Sequence, residues 1–133
     1  MDYRKEYEKW LASPALSEDE RAELKALEGN DKEIKARFYG TAGLRGTMYT
    51  GLHNMNRHVI RWATQGFANV IRAEGAEAMQ KGVAVCMDCR NHSAEFARET
   101  ACVMAANGIH GRLFESLRPT PELSFAVREY GCQ

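Results

Sequence analysis

The sequence has no excess of either charge: 18 Lys and Arg stand against 18 Asp and Glu, for a formal net charge of zero over 133 residues. The basic residues are scattered, so the electrostatic footprint that nucleic-acid binding requires is missing. A long apolar run is missing too. The longest, Ala101–Ala106, falls far short of the roughly 20 residues that span a bilayer. The chain opens on charge, Met1-Asp2-Tyr3-Arg4, and no signal peptide is visible. Four cysteines without a secretory signal read as reduced thiols in the cytoplasm. No Pro-, Gly- or Ser-rich linker divides the chain, and there is no repeat or low-complexity tract. What is present, an apolar content of 44%, suits one soluble domain able to bury roughly two thirds of its unfolded surface.

Several conventional chemistries are also excluded by pattern. Cys86-Met87-Asp88-Cys89 is a C-x-x-C, but no second pair or histidine stands at metal-ligand spacing, and a redox pair belongs at a helix N-terminus rather than inside a strand. His53, His58, His92 and His110 are dispersed and read as surface or capping residues. Ser93 reads as a helix cap, since no G-x-S-x-G surrounds it. The sequence predicts no metal site.

Periodicity gives the elements. Tyr3, Tyr7, Trp10 and Leu11 predict an amphipathic helix ending near Ser13-Pro14. Ser17 and Glu20 predict a capping box, with Leu24 and Leu27 as a short stripe before Gly29. One or two further turns are expected over 31–37. Residues 1–37 thus form a charged helical leader, expected to pack as an appendage rather than as a core layer. Beyond it, a strand is expected over Leu44–Tyr49 and a turn over Thr50–Met55. Asn56 caps a helix with Val59, Ala63, Phe67, Val70 and Ile71 on one face, ending at Gly75. A buried parallel strand over Val83–Met87, a helix over Ser93–Asn107 closed by Gly108, and a second strand over Ile109–Phe114 follow. Thr120 is expected to cap a last helix with Pro121 at N1, and Leu123, Ala126, Val127 and Tyr130 turned inward. Alternating strands and helices of this length predict an α/β fold, a three-layer α/β/α domain on a mixed, largely parallel sheet. The rhythm stops at Gly131-Cys132-Gln133 where a further strand is due, so the domain reads as truncated before its last strand.

The chain is organised around Phe38-Tyr39-Gly40-Thr41-Ala42-Gly43-Leu44-Arg45-Gly46-Thr47. Glycines at a spacing of three allow positive φ and close approach of the backbone to a ligand. Successive N–H groups in such a stretch can form a nest for an anion, and Arg45 is the side chain shaped to grip a phosphate bidentately. The motif resembles the N-terminal signature of the α-D-phosphohexomutases, the phosphoglucomutase and phosphomannomutase family. Collinear stretches extend the resemblance: Asn54-Met55-Asn56 leading to Ala63-Thr64-Gln65-Gly66; Val83 to Phe96 with Asp88-Cys89-Arg90 and Ser93; and Thr120 to Arg128. The leader, with Tyr7-Glu8-Lys9-Trp10-Leu11, is similar to the branch of phosphopentomutases and broad-specificity phosphosugar mutases.

The resemblance implies that residues 38–133 are an incomplete first domain of such an enzyme, which interconverts hexose or pentose 1-phosphate and 6- or 5-phosphate through a phosphoserine and a bisphosphate intermediate. It implies that Arg45 stabilises the moving phosphoryl group and that Gly40, Thr41 and Gly43 shape the phosphate loop. The nucleophilic serine and the Mg²⁺ loop of the family do not occur in this sequence, so the chain alone is expected to be inactive. Mg²⁺ and a sugar bisphosphate activator would serve the parent enzyme. Its partners would be the sugar phosphate and the remaining domains of the same polypeptide, with no nucleic acid and no membrane. Asp88 and Arg90 follow a parallel strand, where open α/β sheets place their sites; they read first as an internal ion pair supporting the loop. Asn54 stands where the family commonly has arginine, which removes support for a phosphate contact there, and Leu52-His53, Cys86 and Cys89 also depart from the pattern. Two other readings stay open: a stand-alone binding or regulatory domain, and a GXXG-type nucleic-acid clamp built on Gly40-Thr41-Ala42-Gly43.

Overall fold

The structure is a computed structural model that describes residues 2–39 and 44–133. Gly40, Thr41 and Gly43 lie outside the described residues. The chain divides into two compact units, residues 1–59 and 60–133.

The first unit holds α1 (Tyr3–Leu11), α2 (Glu18–Lys25) and α3 (Asp31–Phe38). Each start is chemically marked. The Asp2 side chain accepts from the Arg4 and Lys5 N–H groups, Ser17 and Glu20 form a reciprocal capping box, and Asn30 accepts from the Glu33 N–H. The helices enclose a core of Leu16, Leu24, Leu27, Ile34, Phe38 and Leu52, with Tyr3, Tyr7, Trp10 and Leu11 against it. Phe38 is fully buried and meets Tyr7 and Trp10 edge-on, ring centroids 5.7 and 5.8 Å away. The leader's helices carry a core of their own, into which Phe38, the first residue of the glycine motif, is sunk.

The expected strand over Leu44–Tyr49 does not form; the segment runs through bends. Its polar groups bond to the turn that follows instead of to a neighbouring strand. The Met55 N–H donates to the Thr47 carbonyl at 2.9 Å, and the Thr47 hydroxyl donates to Asn54 Oδ1 at 3.0 Å.

The long helix α4 (Arg57–Glu74) starts at the end of the first unit and lies mostly in the second. Asn56 caps it, its Oδ1 accepting from the His58 and Val59 N–H groups at 3.1 Å each. The face turned to the second core differs from the expected one: Thr64, Ala68 and Ile71 are buried, whereas Phe67 and Val70 are exposed. The second unit continues with α5 (Ala76–Lys81), β1 (Val83–Val85), α6 (Ser93–Ala106), β2 (Gly111–Leu113) and α7 (Thr120–Glu129). β1 and β2 pair in parallel in the register Val83↔Gly111, Ala84↔Arg112, Val85↔Leu113. Both strands are shorter than expected, although Phe114 N–H to the Val85 carbonyl and Arg118 N–H to the Met87 carbonyl, 3.0 Å each, prolong the association. Ala68, Ile71, Ala78, Val83, Met104 and Ile109 form the core of this unit. Strand, crossover helix and parallel strand make this an α/β architecture.

Three local expectations shift. His92, not Ser93, is the N-cap of α6, in the left-handed region at φ 60°. Pro119, not Thr120, caps α7: its carbonyl accepts from the Glu122 N–H at 3.0 Å, which places Pro121 second in the helix rather than first. Of the residues expected to turn inward on α7, only Ala126 is buried, and Tyr130 is exposed with the Arg112 guanidinium 5.6 Å from its ring centre.

Candidate functional site

The site is built from the two chain segments that flank residues 40–43. The upstream flank is the end of α3. Arg37 lies in its last turn and is only 9% exposed, and its side chain is held on several sides. Its Nη1 donates to Glu23 Oε1 at 2.5 Å, its Nε donates to Glu33 Oε1 at 3.2 Å, and its guanidinium stands 4.6 Å from the centre of the Tyr49 ring. A guanidinium buried this deeply is stable only with such partners.

The downstream flank runs from Leu44 to Asn56. Arg45 is exposed and makes no hydrogen bond or ion pair among the described residues. A cation without an internal partner keeps its donors available for an external anion. Gly46 is a glycine by necessity: a Cβ there would stand 2.9 Å from the His53 carbonyl oxygen. The close approach folds the segment after Arg45 back on the turn at 51–54. That turn is bonded throughout. The His53 N–H donates to the Arg37 carbonyl at 3.0 Å, Asn54 Nδ2 to the Thr50 carbonyl at 3.3 Å, and Asn56 Nδ2 to the Tyr49 and Gly51 carbonyls at 3.0 and 2.9 Å. Asn54 is buried and spends its amide on this turn.

Asp88 and Arg90 sit on the loop after β1. Arg90 Nε and Asp88 Oδ2 pair at 2.7 Å, the Arg90 N–H donates to Asp88 Oδ1 at 3.1 Å, and the Asp88 N–H donates to Ser93 Oγ at 3.0 Å. The Arg90 backbone N–H is the main cause that holds the Asp88 carboxyl below its usual range, with Ser93 and the Arg90 guanidinium adding to it against partial desolvation. The group ties the loop to the first turn of α6. Among the described residues no three His, Cys, Asp or Glu side chains come together in a way that could hold a metal ion. Among the described residues no helix is long and apolar enough to cross a membrane.

Two residues in this neighbourhood escape a reading of the sequence. Glu23 and Arg37 look like ordinary members of a charged leader; the one local hint is the i,i+4 spacing of Glu33 and Arg37. A third, Glu20, does more than close its capping box. Its carboxylate accepts from Arg57 Nη2 at 2.7 Å and approaches His58 Nε2 at 3.1 Å. Burial alone would raise its pKa, but the Ser17 N–H, Arg57 and His58 together hold it at about 2. A carboxylate depressed in the folded state stabilises the fold above its ordinary pKa and loses that contribution as the pH falls. Glu20→Gln is therefore expected to cost up to about 3 kcal/mol at neutral pH. In urea titrations that difference should shrink between pH 4.5 and about 2, the ordinary and the folded values of this group. A difference that stays constant down to pH 2.5 would mean that the charge of Glu20 contributes nothing.

Residues 36–133 match the family described as phosphoglucomutase/phosphomannomutase, alpha/beta/alpha domain I. A phosphopentomutase of Pongo abelii is 36% identical over 111 residues, covering 75% of this chain and 18% of that protein. A phosphoglucomutase of Staphylococcus saprophyticus is 37% identical over 90 residues, covering 68% of this chain and 16% of that protein. A phosphomannomutase of Mycoplasma pneumoniae is 28% identical over 131 residues, covering 94% and 24%. The chain thus spans about a fifth of the length of the curated relatives it matches. No solved structure matches it significantly.

Proposed function

Because the chain belongs to the phosphoglucomutase/phosphomannomutase family, we propose that it is the N-terminal part of a phosphosugar mutase, residues 1–37 forming the leader and 38–133 the first domain. The parent is then an intramolecular phosphotransferase that moves a phosphoryl group between the 1-position and the 6- or 5-position of a hexose or pentose. It does so through a phosphoserine and a bisphosphate intermediate, and is a cytoplasmic phosphoprotein. Its partners are the sugar phosphate and the other domains of the same polypeptide; neither nucleic acid nor a membrane enters. The observation that carries this reading is the match over 36–133, which includes the glycine motif and Arg45.

In such a transfer the protein's task is positioning and charge neutralisation. Arg45 supplies a guanidinium without a partner among the described residues, whose paired donors suit phosphoryl oxygens, and Gly40, Thr41 and Gly43 shape the loop beside it. Asp88 and Arg90 support the edge of the sheet. Mg²⁺, held by ligands outside this chain, would neutralise charge on the transferring group in the parent, and a sugar bisphosphate would prime it. The relatives are named for pentose, mannose and glucose phosphates, and the sugar is left open between them.

The chain alone should not isomerise glucose 1-phosphate in the presence of a bisphosphate activator and Mg²⁺. The polypeptide extended in frame through a serine loop and the later domains should. Isomerisation that copurifies with the 133-residue chain, or none by the extended polypeptide with any hexose or pentose phosphate, would overturn the reading.

A further inference from the structure

The helix α2 lies outside the residues matched by the family, which begin at residue 36. Yet its side chains reach both flanks of the glycine motif. Glu23 is the centre of this arrangement. Its Oε1 accepts from Arg37 Nη1 at 2.5 Å on the upstream flank. On the downstream flank its carboxylate accepts from the Thr50 N–H at 3.2 and 3.3 Å and from the Thr50 hydroxyl at 2.6 Å. One turn earlier on α2, Glu20 holds Arg57 and His58 at the start of α4. Positions three apart share a helix face, so the two carboxylates act side by side. Thr50 is 3% exposed, and its carbonyl in turn accepts from Asn54 Nδ2, the residue whose Oδ1 takes the Thr47 hydroxyl.

We propose that Glu23 is a positioning residue for Arg45: through Arg37 and Thr50 it ties together the described residues on either side of the stretch that carries Arg45. The leader thereby bears on catalysis by way of the position of Arg45, and not by contact with substrate. The chemistry suits the role. A carboxylate that accepts from a guanidinium, a hydroxyl and a backbone N–H at once forms charge-assisted bonds to three groups whose relative placement it then sets.

The proposal rests on the mutase reading only for its consequence in catalysis, and its test has two parts. In the 133-residue chain, Glu23→Gln keeps the size of the side chain but removes the charge. Amide hydrogen exchange at His53 and Met55, whose N–H groups bond to Arg37 and Thr47, should become at least about tenfold faster, with exchange in α6 unchanged. Thr50→Val, which removes only the hydroxyl, should give a smaller change in the same amides and guards against a Glu23 variant that fails to fold. Unchanged exchange at His53 and Met55 in both variants would overturn the clamp, whatever the enzyme does. In the extended mutase, Glu23→Gln should lower kcat about tenfold with KM for the sugar phosphate within a factor of two. In an Arg45→Ala background the same substitution should have no further effect on kcat, because residues that act as a unit are not additive. A full additional tenfold loss in that background would show that Glu23 does not act through the Arg45 segment. An extended protein in which Arg45→Ala is harmless would sink the role of Arg45 while the exchange result still decides the clamp.

Discussion

Arg45→Ala in the extended mutase should lower kcat by about 10²–10³-fold, the loss typical of removing one preorganised donor to a developing anion. The thermal midpoint should hardly move. Arg45 is exposed and has no internal partner among the described residues, so its deletion breaks nothing that holds the fold, and a lone surface charge contributes at most about 1 kcal/mol. Arg45→Lys should recover part of the rate, since a point charge neutralises the phosphoryl group without the paired donors that orient it. Steady-state kinetics together with a melting curve separates the two roles. A variant that keeps its kcat, or one whose main defect is a lower midpoint, would remove the catalytic role assigned to Arg45.

The largest effect on stability is expected at Gly82. This residue ends α5 and leads into β1 with φ 68° and ψ −160°, a region that is essentially closed to residues with a side chain. The conformation is only half the difficulty. A Cβ at this position would stand 1.9 Å from the His110 carbonyl oxygen, a backbone atom that accepts the Val83 N–H at 2.8 Å and so aligns β1 with β2. Backbone cannot swing aside as a side-chain tip can, so alanine must push the strands apart at the start of their register. Gly82→Ala should cost at least about 3 kcal/mol, with a fall in Tm of about 10 °C or more. Gly29→Ala is the control. Gly29 also has positive φ, 85°, but nothing lies within 4 Å of its added Cβ, so only the backbone strain of about 1–2 kcal/mol applies. Equal losses in the two variants would mean that the strands yield around residue 82 and that the close approach of His110 carries no energy.

What the sequence by itself determined is whatever depends on neighbours along the chain. The capping box of Ser17 and Glu20, the Asn56 cap, and, α5 apart, the order helix, strand, helix, strand, helix from residue 57 onward are all set by short-range chemistry. The family is equally legible, because a motif survives in the letters whether or not its geometry is known. The tertiary structure decided matters of another kind. It buried Arg37 and gave Glu23 its partners, since the bond from Thr50 to Glu23 joins residues 27 apart in sequence. It denied Leu44–Tyr49 a strand, because a strand exists only where a partner offers its edge. It also turned α4 so that Thr64, Ala68 and Ile71 meet the core in place of Phe67 and Val70. Along that helix the apolar residues cover too wide an arc to name one face, and only the packing of the helix against other elements selects between them. Arg45 is singled out by the motif, but that its guanidinium has no partner among the described residues, while Arg37 eight places earlier is bound on several sides, is a property of the folded chain alone.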